Sequence, residues 1–199
     1  MKAKTAPSAL LKALSAALTY PAQGLESVLE PLRCCAGDVS CTAWHAGLVE
    51  ALAAAEAFTA PGAAQPEGAE AAQLEYTRLF IGSFKMCAPP YASYYLDGKS
   101  QVQGPTAVEA TELYASFGLE LAEGEHECAD HIRYLLYFAA VLAQSHEERG
   151  LEEYALAYHD FCDAFVLSWL PQLQERVQLY AEFPFYPQVL ELVSEVIGG

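Results

Sequence analysis

Apolar residues recur at spacings of three and four from one end of this chain to the other, while alternating apolar and polar runs are short and rare. Such spacing puts one stripe of each segment on a common helical face. It predicts an all-α protein, a single-domain bundle of about eight to ten helices. The length of 199 residues suits one core rather than two. With 53% apolar and 18% charged residues there is enough material to fill that core.

The first helix is predicted over roughly Pro7 to Leu18, with Leu10, Leu11, Leu14 and Leu18 on its inner face and Pro21 and Gly24 closing it. A short second helix is expected around Leu25 to Leu32, with Pro31 near its end. Ser40 is placed to cap a third, whose Trp44, Leu48, Leu52 and Ala55 share a stripe. The segment Thr59 to Gly68 holds two prolines and two glycines and reads as a hinge. Another helix is expected from about Ala69 to Phe80, stopped by Gly82. From Gly82 to Pro105 runs the longest irregular stretch, rich in rings (Phe84, Tyr91, Tyr94, Tyr95) beside Pro89 and Pro90. Pro105 is preset for a first helical position and Gly118 for a left-handed end. Asp130 is placed to cap a long apolar helix carrying Ile132, Leu135, Leu136, Ala139, Leu142 and Ala143. Two or three further helices are expected between Leu151 and Ile197.

Ten Lys plus Arg against 26 Asp plus Glu leave a net charge of −16. That balance repels phosphate backbones and anionic lipid, so neither nucleic acid nor a membrane surface is an expected partner. It attracts a cationic partner, such as a peptide with clustered arginines. Met1 to Ala17 reads as a first helix rather than an export signal, because Lys12 interrupts its apolar run. No window reaches the roughly 18 apolar residues that a bilayer requires. Cys34, Cys35, Cys41, Cys87, Cys128 and Cys162 show no CxxC spacing, which fits reduced thiols in a cytoplasmic protein.

Three stretches carry candidate functional residues. In LEYTRLFIG, Leu74 to Gly82, Tyr76, Leu79 and Phe80 share a face, and Glu75 and Arg78 form an i, i+3 ion pair read as a surface feature. In PPYASYY, Pro89 to Tyr95, a stiff aromatic loop offers rings to an apolar peptide. In ECADHI, Glu127 to Ile132, Asp130 and His131 meet at a helix start. His131 is a conceivable general base, but no nucleophile loop or oxyanion motif completes a catalytic unit. His126, Cys128, Asp130 and His131 are close enough in sequence to consider a metal, without the complementary pair a zinc site needs. Neither GxGxxG nor GxxxxGKS/T occurs, so no nucleotide cofactor is indicated.

Taken in order, EYTRLFIG, PPYASYY, Gly98, the Tyr114 helix closing in Phe117-Gly118-Leu119, ADHIRYLLYFAAVLA, SWLPQL and FPFYPQVLELV resemble the TorD/DmsD family of redox-enzyme maturation chaperones, relatives of the nitrate reductase delta-subunit chaperones. The resemblance spans about residues 70 to 197. It implies a non-catalytic, cytoplasmic, all-helical chaperone that binds the twin-arginine leader, or the apo form, of a molybdopterin-dependent reductase and assists cofactor insertion before export. It implies a leader-binding surface drawing on Tyr76, Leu79, Phe80, Pro90, Tyr91, Ser93, Asp130 and His131. The sequence departs from the family at Cys128, where a proline is usual, and at Ala92, where an acidic residue is common. Some relatives exchange helices between protomers, so either a monomer or a dimer swapped about the Thr59 to Gly68 hinge is compatible. A helical adaptor stably bound to a reductase subunit, and a small hydrolase using Asp130 and His131, are the alternatives. On the chaperone reading, Tyr91→Ala or Phe80→Ala weakens leader binding more than replacement of Glu147.

Overall fold

The computed structural model describes residues 5–59, 68–82, 86–98, 102–124 and 127–199. Ten α-helices are found among them: α1 (Ser8–Ala17), α2 (Glu26–Ala36), α3 (His45–Ala55), α4 (Gly68–Tyr76), α5 (Ala92–Leu96), α6 (Pro105–Ser116), α7 (Ile132–Arg149), α8 (Glu152–Cys162), α9 (Leu170–Tyr180) and α10 (Phe185–Gly198). Two π turns extend α4 and α8, at Thr77–Ile81 and Asp163–Leu167. The architecture is all-α, as the apolar spacing predicts. Most of the expected hinge, residues 60–67, lies outside the described residues, as does Phe84.

The helices pack in a sequence that starts at the long α7, which lies against α1 and α8. From α1 the packing continues through α2 and α3 to α10, and from there to α9. The predicted stripes are the ones buried. Leu10, Leu11, Leu14 and Leu18 of the first helix, and Ile132, Leu135, Leu136, Ala139, Leu142 and Ala143 of α7, are all at most 2% exposed. Such burial of apolar surface, at roughly 25 cal/mol per Å2, is the main force holding the helices together. Trp169 is fully buried, stacks on Tyr95 at 5.2 Å and donates its indole N–H to the Phe165 carbonyl.

Several local expectations are corrected. Pro31 lies inside α2, which runs on to Ala36, because the one amide bond it forfeits does not outweigh burial of Leu32 and Cys35 beyond it. Ser40 is not a cap. Asp38 accepts from the Ser40 amide at 2.7 Å and opens a 3₁₀ turn, Val39–Trp44, and α3 begins only at His45. The aromatic loop contains a short helix, α5, that its flanking prolines mask. Gly118 has φ +73° just past α6 and Gly150 has φ +66° just past α7, the left-handed ends that helices favour.

α6 is capped from outside its own helix. Gly104 precedes it, and the Asp97 carboxylate reaches across to accept from the Thr106 amide at 3.2 Å and the Thr106 hydroxyl at 2.5 Å. A Cβ at position 104 would stand 1.9 Å from Asp97 Oδ2. Gly104→Ala is therefore expected to evict that carboxylate and cost about 1–2 kcal/mol, the usual worth of a cap. In an Asp97→Ala background the same change should cost little. Additive losses in urea denaturation would show that the two residues do not act through one contact.

Candidate functional site

The three stretches singled out in the sequence converge at the start of α7. The loop before α5 and the residues before α7 form a single antiparallel bridge between Tyr91 and His131. Its hydrogen bonds run from the Ala92 amide to the Asp130 carbonyl at 3.1 Å and from the Ile132 amide to the Pro90 carbonyl at 2.8 Å. A third bond crosses the same gap: Asp130 Oδ2 accepts from the Ser93 amide at 2.7 Å. Asp130 therefore does not cap α7 but opens α5 from a distance. The cap of α7 is His131, whose Nδ1 accepts from the Arg133 amide at 3.1 Å.

The first stretch joins from the other side. The Ala88 amide donates to the Leu79 carbonyl at 2.8 Å, tying the π turn to the aromatic loop. Tyr76 packs edge-on against Phe80 at 5.0 Å, and both rings touch Tyr186 of α10. Glu75 is not the surface residue its ion pair suggests. It is 2% exposed, and besides Arg78 it accepts from the amides of Glu182 and Phe183 at 2.8 and 3.2 Å.

Of the eight residues expected to form the leader-binding surface, Tyr76, Leu79, Phe80, Pro90, Ser93, Asp130 and His131 are buried in this structure, and Tyr91 alone is half-buried. The Tyr91 ring stands edge-on to His131 at 5.0 Å. It is thus the member of the cluster that reaches the surface, and the others fix its position. Phe80 belongs to the core, and Glu147 holds the start of α1 by accepting from the Ser8 amide and hydroxyl at 2.9 and 2.7 Å. Changes at either residue disturb the scaffold, so Tyr91 is the informative position.

Electrostatics explain why the Asp-His pair does not act as an acid-base unit. Burial, and after it the Arg133 cation, push His131 down to about 3, so its ring is neutral. Its Nδ1 is occupied as an acceptor, and Nε2 lies 3.7 Å from Glu127, a carboxylate that is also 2.7 Å from Arg133 Nε. No hydrogen bond joins Asp130 to His131, and Asp130 Oδ1 has no hydrogen-bond partner among the described residues. The hydrolase alternative fails on this geometry, since the base is sealed from solvent and the carboxylate beside its Nε2, Glu127, pairs with Arg133. Burial likewise raises the Tyr91 and Tyr114 phenols, which stay protonated. Among the described residues no three His, Cys, Asp or Glu side chains gather where they could hold a metal ion. His126 of that reading lies outside the described residues. All six cysteines are free thiols.

Cys128 in place of the family's proline leaves the turn closed, with the His131 amide donating to the Cys128 carbonyl at 3.0 Å. Nearby, the Tyr114 hydroxyl donates to the Ala129 carbonyl at 2.9 Å, so α6 also grips the stretch before α7. Among the described residues no helix is long and apolar enough to cross a membrane.

The sequence model of the family described as nitrate reductase delta subunit matches residues 41–175. It reaches further toward the N-terminus than the motifs do and ends before FPFYPQVLELV. The chaperone protein TorD of Vibrio parahaemolyticus is 34% identical over 130 residues, covering 61% of this chain and 60% of that one. Its counterpart in Psychrobacter is 30% identical over 135 residues, covering 66% and 61%. The alignments thus span about three fifths of these relatives' length. A crystal structure from Archaeoglobus fulgidus, of a protein assigned provisionally to redox enzyme maturation, superposes with a TM-score of 0.62 over 99% of this chain and 97% of that one. At 22% identity that likeness speaks to the fold alone.

Proposed function

Because the chain belongs to the nitrate reductase delta subunit family, and within it to the TorD/DmsD redox-enzyme maturation chaperones, we propose that it is a cytoplasmic chaperone that holds the precursor of a molybdopterin-dependent reductase through its twin-arginine leader until the cofactor is in place. The observation that carries the reading is the match across residues 41–175, which includes the three stretches that meet at Tyr91, Asp130 and His131. The physical setting supports it. A leader couples a basic head to an apolar stretch, and this chain offers an excess of 16 negative charges together with a partly exposed ring on a rigid base.

Nothing in this activity requires a catalytic group. Capture is a balance between burial of the leader's apolar residues and the entropy of ordering a flexible peptide, which leaves affinity at about the micromolar level. Binding of that strength is reversible, as a maturation step that ends in export requires.

The test is calorimetric titration with a synthetic peptide of paired arginines followed by an apolar stretch. Micromolar binding that weakens with salt is expected, and Tyr91→Ala should reduce it about tenfold while leaving the fold intact. A reductase subunit that binds equally well without its leader would favour the stable adaptor instead.

A further inference from the structure

A second surface lies on α7 beyond the His131 cap. Phe117 after α6, Phe138 on α7, and Phe161 and Phe165 on and after α8 form a continuous run of ring contacts, with centroids 5.4, 4.8 and 5.1 Å apart. Together with Leu113 and Leu142 these rings line a groove of about 220 Å3 between the three helices. The groove is smaller than the roughly 300–1,000 Å3 of a pocket built for a small molecule. Its volume matches a few apolar side chains presented by a peptide. Phe117, 40% exposed, stands open at the mouth of the groove, while Phe138, Phe161, Phe165 and Leu142, at most 8% exposed, form its floor.

Charge decides what kind of chain. Among the described residues the single charged one lining the groove is Asp160. Helical spacing puts two more carboxylates alongside, Glu109 one turn before Leu113 on α6 and Glu153 one turn before Ala157 on α8. No described lysine or arginine lines it. The groove also continues the site already described. On α7 the residues His131, Tyr134, Phe138 and Leu142 follow at helical spacing, and Phe138 lies about 10 Å along the axis from the cap. Tyr114 packs on Phe138 at 4.8 Å and holds the Ala129 carbonyl, joining the two surfaces through one side chain.

We propose that the groove between α6, α7 and α8 is a docking site for an apolar peptide segment of the client, whose flanking arginine or lysine residues meet the Glu109, Glu153 and Asp160 rim. This rests on the chaperone reading and deepens it. Tyr91 then contacts one part of the leader while its apolar stretch lies in the groove.

The same peptide of paired arginines followed by an apolar stretch is titrated against the full chain and three variants, each first checked for an unchanged circular dichroism melt. Phe117→Ser and Leu113→Asn are expected to weaken binding about tenfold each. Asp160→Lys should weaken it about threefold at low salt, and the loss should vanish at high salt. If the wild-type chain binds the peptide and the Phe117 and Leu113 variants bind it equally well, the groove is not the docking site, though the chaperone reading stands. If the wild-type chain does not bind the peptide at all, both proposals fail.

Discussion

Replacing Glu75 with alanine is expected to destabilise the protein by about 3 kcal/mol, the range in which breaking a buried, hydrogen-bonded ion pair falls. The carboxylate is 2% exposed and divides its work between two oxygens. Oε2 takes the Arg78 guanidinium one turn on, with Nη2 at 2.5 Å, while Oε1 takes the Glu182 and Phe183 amides in the link between α9 and α10. Arg78 then reaches further, to the Tyr180 carbonyl at 2.6 Å at the end of α9. Alanine removes the acceptor of two backbone N–H groups at once, and Arg78 loses one of its partners while keeping the Tyr180 carbonyl and the Glu182 carboxylate at 3.4 Å. Arg78 is 32% exposed, so water relieves it, and most of the loss falls on the amides. Glu75→Gln supplies a neutral oxygen at the same place and should lose only about 1–2 kcal/mol. Urea denaturation checks both. Equal losses for Ala and Gln would mean that charge alone matters, and no loss for either would mean that the α9–α10 link is held by its apolar contacts.

Glu75 also shows where a sequence stops being readable. Its ion pair with Arg78 is local, and the i, i+3 spacing displays it; its other partners lie 107 and 108 residues away, and no local pattern announces them. The same holds for Asp130, which looks like a helix cap beside its own helix but serves Ser93, 37 residues upstream. What was legible is what depends on short periods. The inner stripes of α1 and α7, the proline that opens α6 and the glycine that ends it follow from residues within one or two turns. The π turns after α4 and α8 were not legible, because TRLFI and DAFVL carry the same apolar spacing as an ordinary helical turn. Nor was the groove. Phe117, Phe138 and the Phe161–Phe165 pair stand on three segments distant in sequence, and only the packing of α6 beside α7 and α8 brings them into one line. The three motifs meet in the fold, but the surface that the family resemblance implies for them is largely interior: seven of the eight residues are buried and support the eighth.

Lowering the pH from 7.5 to 5.0 is expected to cost the folded state about 2 kcal/mol through His131 alone. In the native protein burial and the Arg133 cation hold this imidazole down to about 3, against an ordinary value of about 6.5 once the chain unfolds. Between those values the unfolded chain binds a proton that the native one refuses, so stability is full above pH 6.5 and declines as the pH falls toward 3. The neutral ring is required where it sits, since its Nδ1 must accept from the Arg133 amide to cap α7, and a protonated nitrogen cannot. His131→Asn keeps an acceptor at the cap but does not titrate. Its urea midpoints measured across pH 5.0 to 7.5 should therefore fall less than those of the parent chain, by an amount equivalent to about 2 kcal/mol at pH 5.0. Carboxylates elsewhere titrate equally in both proteins and cancel in the comparison. Parallel curves for the two would mean that the native state opens this site cheaply enough for His131 to take up its proton. The cap of α7, and with it the base on which Tyr91 stands, would then be far less rigid than its burial implies.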